Sequence, residues 1–108
     1  MSNVVLSALA RQDLVQIKAY VSDVLKNPGA AKGVLKRITA QVRMLERFPE
    51  MGTLLDPMVG LVAYRDLLCG SYMVFYHLAE DTACIDRILY GRRDYMNLLF
   101  GNVFEEGE

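Results

Sequence analysis

The sequence lacks most of what familiar chemistries need. Its only two cysteines, Cys69 and Cys84, are too far apart for a zinc or dithiol site, whose members sit a few residues from one another, so both read as buried apolar residues. No GxSxG, P-loop, HExxH or GxGxxG motif is present, which excludes the enzyme classes built on them. No apolar run approaches the roughly 18 residues of a membrane span, and "MSNVVLSALARQD" has no basic leader before a greasy segment. These absences predict a cytoplasmic protein with no metal and no cofactor.

A chain of 108 residues encloses one hydrophobic core rather than two, so residues 1–108 read as a single domain. Hydrophobic residues make up 53% and charged ones 23%, the balance of a folded globular chain. The net charge of −1 hides an uneven distribution. Lys26, Lys32, Lys36, Arg37, Arg43 and Arg47 face only Glu46 between residues 26 and 47, whereas Glu105, Glu106 and Glu108 make an acidic tail, about 101–108, that reads as frayed.

"NVVLSA" is short and β-branched and predicts a strand ending at Ser7, a good helix cap. Leu14, Ile17, Val21 and Val24 then recur at helical spacing up to Lys26, where Pro28 and Gly29 break the pattern. A second helical stripe, Ala31, Leu35, Ile38, Val42, Leu45 and Phe48, runs to Pro49. "EMGTLLDPMVG" reads as a connecting loop. "LVAYRDLLC", "YMVFYHLA" and "TACIDRILYG" follow as strands joined by the two-residue turns "GS" and "ED", a meander of antiparallel hairpins. The central strand is apolar on both faces, which predicts helices on one side and a further cover, such as a partner, on the other. "RRDYMNLLFGNVF" predicts a short C-terminal helix or arm. The order β-α-α-β-β-β is an α+β sandwich of an N-terminal strand and helical hairpin on an antiparallel sheet.

Chemistry has few carriers left. Arg65, Arg87, Arg92 and Arg93 lie on or just past the strands; a guanidinium fork suits phosphate or carboxylate, while Asp66, Asp86 and Asp94 offer internal ion pairs instead. His77, the one histidine, reads either as a proton shuttle or as a hydrogen-bonded filler. Lys32, Lys36, Arg43 and Arg47 share one side of the second helix, a stripe able to meet phosphates or an acidic partner, or to stay solvated.

The pieces "LSALARQDLVQIKAYV", "LKRITAQVRMLERFPEMG", "YRDLLCGSYMVFYHL" and "IDRILYGRRDYMNLLF", in this order and spacing, resemble the RelE/ParE toxins of bacterial type II toxin-antitoxin modules. The resemblance runs from Val4 to about Phe100. It implies the same fold, growth inhibition, a role in plasmid stabilisation, and a cognate antitoxin whose disordered segment folds across the toxin. It implies one of two targets, DNA gyrase for ParE-like members or ribosome-bound messenger RNA for RelE-like ones, or else a degenerate non-toxic module that retains antitoxin binding.

The RelE lysine positions of the second strand hold Tyr64 and Asp66, the arginine position of the central strand holds Met73, and the tyrosine expected after Arg93 is Leu99. This favours the ParE-like alternative. A nuclease variant, metal-independent, would rest on Arg93, Arg65, Arg87 and His77. Target or antitoxin contacts are expected at Arg92, Arg93, Asp94 and Tyr95 and at Lys32, Lys36, Arg43 and Arg47.

Overall fold

One residue ends the first strand and starts the first helix. Strand β1, Asn3–Leu6, pairs in parallel with the last strand from Asn3↔Thr82 to Leu6↔Ile85. Ser7 then donates its N–H to the Ile85 carbonyl and its hydroxyl to the Asp86 carbonyl, both at 2.9 Å, while the hydroxyl oxygen accepts the Ala10 N–H at 3.0 Å. The N-cap of helix α1, Ala8–Ala19, is thereby riveted to the sheet. The structure, a computed structural model, describes residues 3–24, 26–55 and 63–91. The expected C-terminal helix or arm, the acidic tail, Pro57 and Gly60 lie outside the described residues.

The first helix does not run evenly to its end. Ala10, Asp13, Ile17 and Val21 are buried, but the last turn, Tyr20–Val24, is π-helical. Its wider i→i+5 winding rotates the chain, so Val24, expected inward, is 62% exposed. Lys26 then takes a left-handed φ of 51°. Asn27 caps helix α2, Pro28–Met44, by accepting the Ala30 N–H at 3.1 Å. Pro28 opens this helix at the position where a missing N–H costs nothing, and Gly29, expected in the turn, belongs to its first turn.

Along α2 the predicted stripe holds for Ala31, Ile38, Val42 and the half-buried Leu35, and Leu45 caps it fully buried. Phe48 departs from it, at 52% exposed. After Met44 the bonds shorten to i→i−3, from Leu45, Glu46 and Arg47 to Val42, Arg43 and Met44, and this tighter winding carries Phe48 off the buried side.

Strands β2 (Thr53–Leu54), β3 (Tyr64–Cys69), β4 (Tyr72–Ala79) and β5 (Thr82–Tyr90) complete a five-stranded sheet ordered β1-β5-β4-β3-β2. The turns are Gly70–Ser71 and Glu80–Asp81, as predicted, each opening on a positive φ. β2 to β5 are antiparallel neighbours in the order of the meander, and parallel β1 makes the whole sheet mixed. β2 falls within the stretch read as loop, being too short to show a period. Among the described residues no helix is long and apolar enough to cross a membrane.

Val74 and Tyr76 of β4 join Ile85 and Ile88 in the core under the helices. Of Met73, Phe75, His77 and Ala79 on the opposite face, where a further cover such as a partner was expected, the chain itself buries Met73 and Phe75, at 1% and 0% exposed, while His77 is half-buried and Ala79 exposed. Arg87 opposes Phe75 and Ile85 opposes Tyr76, leaving Asp86 as the extra residue of a β-bulge. That extra residue shifts the alternation, and the buried set of β5 becomes Ala83, Ile85 and Ile88.

Tyr76 ties the segment before β2 to this core. Its hydroxyl donates to the Pro49 carbonyl and accepts the Gly52 N–H, both at 2.9 Å. A Cβ on Gly52 would lie 2.6 Å from that hydroxyl and 2.7 Å from the Asp66 carbonyl oxygen. In urea unfolding, Gly52→Ala is expected to cost about 1–3 kcal/mol through this overlap, and Tyr76→Phe about 1–3 kcal/mol through the orphaned Gly52 N–H. Parent-like midpoints for both variants would contradict the described packing.

Candidate functional site

β5 outruns β1. Pairing stops at Leu6↔Ile85, and beyond it the edge of β5 is taken over by a side chain of α1. Asp13, 7% exposed, accepts the Ile88 N–H at 2.9 Å and grips Arg87 with both oxygens, from Nε at 2.8 Å and Nη2 at 3.0 Å. One carboxylate thus replaces the missing strand and fixes the helix to the sheet. The hydrogen bonds that Arg87 donates to Asp13 raise the Arg87 pKa above its ordinary value, against the opposing effect of burial.

Arg65 is held elsewhere. It stands opposite Tyr76, hence on the helix-facing side, and its Nη1 donates to the Glu50 and Gly52 carbonyls at 3.1 and 2.9 Å. The Glu50 carboxylate, 3.8 Å from Nη2 and 77% exposed, adds little in solvent. Arg65 and Tyr76 therefore share one task, holding the segment from Pro49 to Gly52 against the sheet.

His77 follows Tyr76 and so points to the face without helices. Its Nδ1 lies 2.8 Å from Asp86 Oδ2, both side chains about a quarter exposed. An ionised carboxylate only accepts, so Nδ1 carries the proton, and in the neutral ring Nε2 remains the basic nitrogen. The Tyr64 ring stands edge-on at 5.4 Å, and Cys84 is the cross-strand neighbour. Burial pushes the Asp86 carboxyl above the ordinary carboxylate value, with His77 pulling the other way. Burial and then the Asp86 charge raise the Tyr64 and Cys84 pKa values.

The predicted catalytic residues therefore do not converge where they are described: Arg65 is on one face, His77 on the other and Arg87 at an edge. Asp86, adjacent to Arg87 in sequence, pairs with His77 instead. Arg93, with Arg92, Asp94 and Tyr95, lies outside the described residues. Lys32, Lys36 and Arg43 are exposed on α2, and Arg47 is exposed in the turn after it. Among the described residues no group of three histidine, cysteine or carboxylate side chains is arranged to hold a metal ion. Sequence reasoning missed Asp13. Its signal was an acid on the buried side of α1, three residues after Ala10 and four before Ile17.

A family profile described as "ParE toxin of type II toxin-antitoxin system, parDE" matches residues 4–95. Among solved structures, the chain is similar to one from the chromosomal ParDE toxin-antitoxin system of P. aeruginosa, at 22% identity and a TM-score of 0.70, over 85% of this chain and 98% of that one. It is also similar to one from the RelBE2 toxin-antitoxin complex of Mycobacterium tuberculosis, at 18% identity and a TM-score of 0.58, over 82% and 96% of the two chains. No curated protein matches significantly.

Removing the Asp13 carboxylate strands a half-buried guanidinium and a buried N–H. Asp13→Ala is expected to lose about 3–5 kcal/mol in urea unfolding, and a loss below 1 kcal/mol would deny the carboxylate its linking role. The raised Asp86 pKa carries a sign. Between the ordinary carboxylate value and the raised one the folded protein binds more protons than the unfolded chain, so stability falls as pH rises through that window. Asp86→Asn should flatten this slope, and an NMR titration midpoint for Asp86 at or below the ordinary value would refute it.

Proposed function

The chain belongs to the ParE toxin family of type II toxin-antitoxin systems, and from that premise we propose that it stops growth as a ParE-like inhibitor of DNA gyrase in the cytoplasm, neutralised by a cognate antitoxin. One observation carries the choice of target. The described groups from which a ribonuclease site would be assembled each serve the fold: Arg87 holds Asp13, Arg65 holds loop carbonyls, and His77 holds Asp86. In-line attack by a ribose 2′-hydroxyl builds negative charge on the phosphate, and without a metal that charge calls for converging cations and a proton donor. Losing one such donor costs about 3 kcal/mol of transition-state stabilisation. The isoelectric point of about 5.8 also suits a protein target better than a dense polyanion such as the ribosome.

The target or antitoxin contacts are assigned to Lys32, Lys36 and Arg43 of α2 and Arg47 after it, together with Arg92, Arg93, Asp94 and Tyr95. A second reading, ribosome-dependent RNA cleavage, draws on one feature, the His77 ring oriented by Asp86 with Nε2 left as a base. Expression without antitoxin separates the two. Filamentation, DNA damage and inhibition of gyrase supercoiling by the purified protein are expected, whereas rapid loss of translation supports cleavage. Arg93→Ala should relieve growth arrest, and His77→Gln should leave it intact. Arrest abolished by His77→Gln in a normally folded protein would overturn the gyrase reading, and soluble expression with no growth effect would reduce the chain to an antitoxin-binding module.

A further inference from the structure

Beside the basic side of α2 lies a small apolar cleft. Where the helix passes the β3–β4 turn, Val34, Arg37, Cys69, Gly70, Ser71 and Tyr72 line a space of about 130 Å³. Substrate pockets run from about 300 Å³ upward, so this space suits a single side chain rather than a small-molecule substrate. Tyr72 walls it and packs edge-on against Tyr90, ring centres 5.5 Å apart. Burial raises the Tyr72 pKa, and the Tyr90 and Tyr20 phenols add to the rise. Tyr20 and Tyr90 are more than half exposed. Arginine and tyrosine around a small pocket are the composition of an interface anchor.

The charge indicates what would fill it. Lys32, Lys36, Arg37 and Arg43 are exposed, and among the described residues none has a carboxylate within ion-pair distance. Burial pushes the Cys69 thiol up despite Arg37, so the cleft offers no anion of its own. A second copy of this chain would set these cations against their own kind, whereas an acidic segment complements them.

We propose that this cleft seats one aliphatic side chain of an acidic segment of the antitoxin, with a carboxylate of that segment on Arg37. The proposal rests on the antitoxin partnership stated above and adds its place and chemistry. Ser71 is exposed at the rim, so Ser71→Phe fills the cleft without disturbing the core, and Arg37→Gln removes the charge alone.

The test measures binding of the antitoxin encoded beside this gene by titration calorimetry at two salt concentrations, with thermal melts as a check on folding. Each variant is expected to weaken binding by about tenfold or more, Arg37→Gln also reducing the salt dependence, while Asp81→Asn in the turn at the other end of the sheet changes neither. Parent-like binding by Ser71→Phe and Arg37→Gln would overturn the proposal and leave the toxin reading standing. Failure of the unmodified protein to bind would overturn both. Unchanged binding with an altered melting temperature would point to the chain's own acidic end in the cleft, and a change in mass of the free toxin to a second copy; either result also overturns it.

Discussion

The extra residue in β5 decides where the charges of this molecule go. Without Asp86 out of register, strict alternation would carry Arg87 toward the core side and Ile88 away from it. With the bulge, Ile88 enters the core, Arg87 reaches Asp13 at the strand's free edge, and Asp86 meets His77 on the opposite face. The same local distortion puts the Asp86 carbonyl within reach of the Ser7 hydroxyl, which starts α1. Bulges re-aim side chains by design rather than by defect, and here one residue sets a helix start, a buried ion pair and a histidine's orientation.

A consequence is a division of labour among the cations. Arg65 and Arg87 are largely withdrawn from solvent and satisfied by carbonyls or a buried carboxylate, so both belong to the architecture. Those of α2 remain exposed. Breaking a buried pair costs far more than breaking a surface one, because the surviving charge has no solvent to turn to. On the reading proposed above, partner recognition falls to the exposed set, where charge can be given to another molecule without loss to the fold. The acidic isoelectric point is compatible with this, because a net charge of −1 still leaves Lys32, Lys36, Arg37 and Arg43 exposed along α2.

Much of the fold was legible because its signals are local and periodic. The three meander strands and both two-residue turns follow from alternation and turn chemistry, and the cap at Ser7 lies where a polar residue precedes an apolar stripe. Val24 and Phe48 were misplaced because each lies beyond a change in helical winding, π in one case and tighter in the other, which no 3.6-residue template registers. β2 is too short to have a period. The site was less legible for a different reason. Ion pairs form across the fold, and Asp13 is 74 positions from Arg87, whereas the acid beside Arg87 in sequence points elsewhere. A polar residue inside an apolar stripe was the available signal, and it marked the partner without revealing whose partner it was.

The two outermost strands, four residues in β1 and two in β2, are the shortest in the sheet. Border strands offer unused backbone groups to any passing chain, and shortness is one way proteins blunt that invitation to fibrillar stacking. With α1 folding back at once from β1 and Asp13 sealing the stretch of β5 that β1 leaves uncovered, the strongly apolar central strand β4 is kept two strands in from either border of the sheet.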